Sequence, residues 1–301
     1  MVHPDAFKSR RLVMFLSADV VGSTAFKAGT VSDAGEALWL EAFETLFREL
    51  PLIFIGKLAE YFALQDDLPH SGVWKVMGDE VVFAAMPQDV TQAQLIAAAF
   101  SDAVMRYDQR IAASWPLRIR GCCWGAEIGE RNRAIEIPEM LGASEERPYL
   151  DFLGPDIDTG FRLSGHSRPG ELILSPNLAE AFARQPDQRG LRFHHVGDAP
   201  LKGVCGGQPF PLVLVSVEGV GTPSFASIEA PELAARLAAI RARMQREALP
   251  KAAAIPAKPC ASRASKASFW PGGRCHPPPK SGCGCGAGTR NSASMLHFLK
   301  H

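Results

Sequence analysis

The sequence contains no apolar run approaching the ~18 residues that a membrane-spanning helix requires, so no helical span is expected. It carries no net charge, because 32 Lys and Arg offset 32 Asp and Glu, and a nucleic-acid partner is not expected. It lacks a disulfide framework: seven cysteines is an odd number in no regular spacing, which suits a reducing cytoplasm. A secretory leader is not expected either. Lys8, Arg10 and Arg11 precede the apolar Leu12–Leu16, but that run is short, Asp19 interrupts the next stretch, and no small-residue cleavage site closes it. The expected location is cytoplasmic.

What is present is a chain of 301 residues, 47% hydrophobic and 21% charged, enough for one globular domain with something added. The charge is unevenly spread. From Gly221 to His301 there are 12 Lys and Arg against 3 Asp and Glu, a net of +9, so the first 220 residues carry −9. The expected organisation is a globular domain over 1–220 and a basic Ala/Pro/Gly-rich tail over 221–301. In the tail, Pro231–Leu249 predicts a helix with proline at its start. Its Leu233, Leu237, Ile240 and Met244 form one apolar seam, fit to pair with a partner helix or to dock on the domain. The rest of the tail cannot bury a core and is expected to be disordered. Cys275-His276, Cys283, Cys285, His297 and His301 match no standard four-ligand zinc spacing.

Along the domain, Leu12–Val21 reads as a strand running into a small-residue turn at Gly22-Ser23-Thr24. A helix capped by Ser32 or Asp33 is expected through Arg48, with Trp39, Phe43, Leu46 and Phe47 as a packing stripe. Pro51 is expected to open a second helix, Leu52–Leu64, followed by a loop over 65–72. Val73–Ala85, VWKVMGDEVVFAA, reads as a β-hairpin turning at Gly78-Asp79. Val90–Ser114 is rich in helix formers and ends at Trp115-Pro116, and Leu117–Ile128 is a strand. Within it Cys122 and Cys123 point to opposite faces as packing residues. Arg131–Tyr149 is an irregular arm, Pro155–Ser167 a short helix, and Glu171–Ser175, Leu191–Val196 and Pro211–Val217 are strands, with Leu201-Lys202-Gly203 a turn. His194 and His195 read as packing or surface residues.

Up to Ile128 the order is β-α-(α)-β-β-α-β, so the expected class is α+β, a ferredoxin-like βαββαβ core with extra C-terminal strands and a low-complexity tail. That topology makes the first strand and the hairpin neighbours and lets Asp19 and Asp79 share one ion. Two carboxylates on adjacent strand ends suit Mg²⁺, which is held by one or two carboxylates plus substrate phosphates, and a pair of such ions clamps an in-line displacement at phosphorus. Taken separately, Asp19 can merely open a turn and Asp79 tip a hairpin. Asp158 and Arg162 share a helix face, either as a surface pair or with Arg162 as a forked donor for phosphate. Asp151, in an extended segment, can accept from the amino group of a base.

These stretches resemble the catalytic domain of class III nucleotidyl (adenylate/guanylate) cyclases. The matching segments are SADVVGST at Ser17–Thr24, KVMGDE at Lys75–Glu80, DFLGPDIDTGFRL at Asp151–Leu163, PGELILSP at Pro169–Pro176 and LKGV at Leu201–Val204, in the family's order. The resemblance implies Asp19, Asp79 and the Val20 carbonyl as ligands of two Mg²⁺ or Mn²⁺ ions per site. It implies Lys75 and Asp151 as the base-reading pair, Arg162 as the transition-state arginine and Lys202 on the triphosphate, with sites between two head-to-tail copies. The activity implied is conversion of ATP to cyclic AMP and pyrophosphate. Lys75 as donor and Asp151 as acceptor suit adenine better than guanine. One position departs from the family: Asp158 stands where an asparagine orients the ribose. A carboxylate cannot donate there, and it adds negative charge near the phosphates and can draw Arg162 into an ion pair. Two other readings stay open, a catalytically impaired nucleotide-binding and dimerising module of the same fold, and a protein tethered to nucleic acid by its basic tail.

Overall fold

The computed structural model describes residues 11–29, 37, 39–65, 67–137, 149–221 and 224–253, the last of these as backbone only from 243. The start of the first expected helix, at Ser32 or Asp33, and the cysteine- and histidine-bearing tail lie outside the described residues.

The first strand, β1 (Arg11–Val21), alternates strictly, as a strand with a layer on each face must. Met14, Leu16, Ala18 and Val20 belong to one buried cluster, and Val13 and Phe15 to the other. Gly22, at φ +82°, turns the chain into α1 (Ser23–Gly29), a helix where a turn is expected from the small residues. α2 (Trp39–Tyr61) is continuous through Pro51, so the expected break there does not occur. Proline inside a helix costs about 3 kcal/mol. Ala42, Phe43, Leu46, Leu50, Phe54 and Leu58 are buried on both sides of it, and each large side chain so buried contributes about 1.5–3 kcal/mol, which outweighs that cost.

β2 (His70–Met77) and β3 (Glu80–Met86) form the expected hairpin. α3 (Val90–Ser114) begins at an Asp89 cap, whose side chain accepts from Gln92 N, and ends at Trp115. β4 (Arg118–Ile128) follows. Together these give the order β2-β3-β1-β4, with β1 antiparallel to both neighbours, the ferredoxin-like core. The expected irregular arm contains a strand pair, β5 (Arg133–Ile137) and β6 (Tyr149–Leu153). α4 (Pro155–Ser164) comes next, then β7 (Leu172–Leu174), α5 (Pro176–Ala183), β8 (Leu191–Pro200) and β9 (Pro209–Val217). β7 pairs with β4 in parallel and extends the sheet to seven strands, β2-β3-β1-β4-β7-β9-β8. The class is α+β.

The helix expected over 231–249 is α6 (Ala230–Ala253). Its Leu233 and Leu237 are buried in the same cluster as α2, α3 and α5, so the seam docks on the domain. Met244 lies among the residues described by backbone alone. Cys122 and Cys123 fall in opposite clusters, and burial pushes both thiols up, away from the reactive thiolate. His194 is a packing residue bound to Ser216 at 2.8 Å. Among the described residues no helix is long and apolar enough to cross a membrane.

Candidate active site

Strand register builds the site. Asp19, near the end of β1, lies opposite Glu80 of β3 and opposite Arg120 of β4. All three belong to the alternation that includes Phe15, Val82 and Trp124, so they share the sheet face opposite α2 and α3. Asp79 forms the hairpin tip with Gly78, which takes φ +66°, a backbone region open to glycine at no steric cost. Val20 N donates to Asp79 O at 3.3 Å, which fixes the tip against the end of β1. Ser23, at the start of α1, donates its hydroxyl to Asp79 Oδ2.

Arg120 binds Asp19 through two nitrogens. Nε and Nη2 donate to Oδ2 at 2.9 and 2.7 Å, and Nη1 donates to Gly165 O at 3.0 Å, just past α4. Burial raises the Asp19 carboxyl above its usual range, Arg120 pulls it back, and the nearby Asp79 charge raises it again. Glu80 is raised for the same first reason, burial, and by the charges of Asp19 and Asp79. Ser17 beside it pulls Glu80 back, and among the described residues Glu80 Oε1 is buried without a hydrogen-bond partner.

The second group lies on the same face, nearer the sheet edge. A bulge between Val73 and Lys75 breaks the alternation of β2. Trp74 joins the aromatic cluster of Phe15, Phe152 and Phe161, and Lys75, paired with Val82, is aimed to that side as well. Lys75 Nζ meets Asp151 Oδ1 of β6 at 2.6 Å, both side chains 21% exposed. Asp151 Oδ1 also accepts from Phe152 N at 2.9 Å, and Trp74 Nε1 donates to Leu150 O at 3.0 Å, which holds β6 over the hairpin.

The third group is α4. Gly154 precedes it at φ +151°, where a Cβ would fall 2.4 Å from Asn132 Oδ1. Asn132 donates to Glu127 O and to Asp156 Oδ2 and accepts from Asp156 N. These bonds fix the start of the helix. Gly160 lies against Trp124, with ring atoms 2.2–2.3 Å from where a Cβ would stand. Asp158 and Arg162 are exposed, and among the described residues they form no ion pair with each other or with other groups. They line a groove bordered by α5, α6 and the β8–β9 turn, with Trp124, Glu180, Phe210 and Leu237. Asp19, Asp79, Lys75 and Asp151 do not line it. Lys202 is exposed in the turn after β8.

The sequence matches no protein-family model and no curated protein sequence. Solved structures it is similar to include adenylyl and guanylyl cyclases. One is the adenylyl cyclase CyaB from P. aeruginosa, at 14% identity and a TM-score of 0.49 over 72% of this chain and 98% of that one. Another is the guanylyl cyclase Cya2, at 21% identity and a TM-score of 0.44 over 73% of this chain and 98% of that one. A third is the guanylate cyclase domain of RhGC from Catenaria anguillulae in complex with GTP, at 12% identity and a TM-score of 0.47 over 69% and 97%. The α+β assignment rests on the strand order and registers of the seven-stranded sheet.

One chain therefore brings seven of the eight expected residues, all but Lys202, into three groups: Asp19, Val20 and Asp79; Lys75 and Asp151; Asp158 and Arg162. Three further residues join the first group: Ser23 and Glu80, which lie inside the SADVVGST and KVMGDE segments with no role expected of them, and Arg120, which lies in no matching segment. The available signal for Arg120 is only a charge near the start of β4, a position it shares with Arg118.

Proposed function

We propose that this chain is a nucleotide cyclase of the class III type, forming cyclic AMP and pyrophosphate from ATP as a homodimer. One observation carries the reading: Lys75 and Asp151, 76 positions apart, meet at 2.6 Å on the face that presents Asp19 one same-face step further along the strands. In the absence of a base the two satisfy each other, so neither charge is left buried alone. With adenine between them, Lys75 donates to a ring nitrogen and Asp151 accepts from the exocyclic amine. Guanine would turn a carbonyl toward Asp151, and a mismatch of that kind leaves polar groups unpaired.

Asp19, Asp79 and the Val20 carbonyl would hold Mg²⁺ or Mn²⁺, two ions per site. The donors fit hard cations: two carboxylates meet at the strand ends, and Glu80 Oε1 is buried beside them without a partner. Among the described residues no set of three His, Cys, Asp or Glu closes into a cage, as suits a site completed by substrate phosphates. Such ions supply charge neutralisation for the triphosphate and acidify the 3′-hydroxyl. The 3′-oxygen attacks the α-phosphorus as the bond to the β-phosphate oxygen breaks. Arg162, exposed and without an ion pair among the described residues, stabilises charge developing on the α-phosphate, and Lys202 binds the departing pyrophosphate. A second copy completes the site. In support, Asp19 and Asp79 do not line the groove of Arg162, and Val73 and Val76 leave apolar surface exposed on one face of the edge strand that carries the hairpin.

The test is purified full-length protein with ATP or GTP and Mg²⁺ or Mn²⁺. Cyclic AMP is expected from wild type and not from Asp79→Ala. Equal yield from both, or no cyclic nucleotide from wild type, overturns the reading. One observation favours the impaired-module alternative: Asp158 is an exposed carboxylate one helical turn from Arg162, in the same groove. An inactive wild type that gains activity on Asp158→Asn would select it.

A further inference from the structure

We propose that Arg120 is a resident cation of the carboxylate site, which binds Asp19 when no divalent ion does and must release it before such an ion is bound. The proposal rests on the reading of Asp19 and Asp79 as metal ligands.

Three observations lead to it. First, register: Arg120 lies directly across the ladder from Asp19, so contact follows from the fold and does not depend on a chance approach of two long side chains. Second, the contact is chelating. Two guanidinium nitrogens converge on Asp19 Oδ2 at 2.9 and 2.7 Å, and the side chains are only 26% and 19% exposed. The hydrogen bonds are charge-assisted and shielded from water, the setting in which they are strong. They also occupy one of the two Asp19 oxygens open to an incoming ion. Third, charge: Asp19, Asp79 and Glu80 lie together at one strand end, Asp19 opposite Glu80 and the Asp79 carbonyl bound to Val20 N. A guanidinium stays charged at every physiological pH, so Arg120 lets the cluster fold without metal. The remaining nitrogen, on Gly165 O at 3.0 Å, gives the side chain a second anchor beside α4 from which to swing.

A rival role is positioning, in which Arg120 holds Asp19 ready for the ion and stays in place when the ion arrives. The two roles predict opposite signs. If Arg120 competes, its removal strengthens metal binding; if it positions, removal weakens it. The measurement is Mn²⁺ affinity of the full chain without nucleotide, from the electron paramagnetic resonance signal of free Mn²⁺, with Asp79→Ala as the control that loses the site. Arg120→Gln is expected to bind Mn²⁺ about ten-fold to a hundred-fold more tightly than wild type, the worth of a pair of hydrogen bonds to a charged group. Equal or weaker binding by Arg120→Gln, with wild type binding measurably, overturns the proposal and leaves the metal reading standing. Absence of Mn²⁺ binding in both proteins overturns the two together. A second measurement needs only folded wild type. The Arg120 Nε–H resonance, assigned by its loss in Arg120→Lys, is expected to be protected from solvent exchange without metal and to become rapidly exchanging on addition of Mg²⁺. A resonance that stays protected at saturating Mg²⁺ overturns displacement.

Discussion

The two faces of the central sheet differ in kind. Toward α2, α3 and α5, the strand residues are Met14, Leu16, Ala18, Val20, Val81, Phe83 and Cys123, every one buried in a continuous apolar layer. Toward α4 and the β5–β6 pair, the same strands present Val13 and Phe15, then Ser17 and Asp19, with Glu80 and Arg120 alongside. One face is closed chiefly by the hydrophobic effect, with the buried Asp108 of α3 accepting from Arg118 and Ile119 N at the start of β4. The other begins as an aromatic cluster and ends in unlike charges, one of them with a buried oxygen lacking a partner. Because both are read from alternate residues of the same strands, the chain gets its stability and its chemistry from one secondary structure, separated only by parity.

The comparison can be broken by substitutions of decreasing weight. Phe100 is fully buried between Phe54 and Phe83 in the closed layer. Phe100→Ala is expected to cost about 3–5 kcal/mol, read from urea midpoints, while cyclase activity per folded molecule is retained. A loss of activity at full folding would mean that the closed face is not merely structural. Gly160→Ala tests the other face. The added carbon meets the Trp124 ring, a buried and rigid neighbour, and overpacking of that kind costs about 1–3 kcal/mol. Since Arg162 lies two residues further on, turnover should fall more than stability does; an unshifted turnover would separate α4 placement from the chemistry. Arg192→Ala, at an exposed pair with Glu218 on the far strands, serves as the floor. It is expected to move stability by less than about 0.5 kcal/mol, and a larger shift would show that the outer strands couple to the rest of the sheet.

Much of this arrangement is legible in the sequence, and the exceptions have physical causes. β1, the hairpin, α3 and β4 are visible because alternation, a Gly-Asp turn and a capped run of helix formers are local signals. α2 reads as two helices because Pro51 is a local breaker, whereas burial on both sides of it is a tertiary fact. α1 reads as a turn because Gly22-Ser23-Thr24 suits the end of a strand and the start of a helix equally. α5 is not among the expected elements, although Ser175-Pro176 is a start signal and Leu178, Ala179 and Phe182 have an apolar spacing. In the site, Lys75 and Asp151 can be named from their motifs, and Asp158 and Arg162 from their spacing. Glu80 lies within the KVMGDE segment and Arg120 in none, but the part either plays depends on which residue of β1 lies opposite it. The freedom of Arg162 from Asp158 also needs coordinates, since a spacing of four permits an ion pair without requiring one.

The bulge in β2 makes the hairpin a segment of measured length. Val73 and Val76 are about half exposed and can be exchanged for other residues at little expense. The number of residues between Lys75 and Gly78 cannot change so freely. Removing Val76 or Met77 would move Lys75 from opposite Val82 to opposite Val81, and so to the other layer, away from Asp151, without altering a single site residue. Variation along this hairpin should therefore run to substitution and against insertion or deletion, so that a change of one codon in length is the more damaging kind of error here.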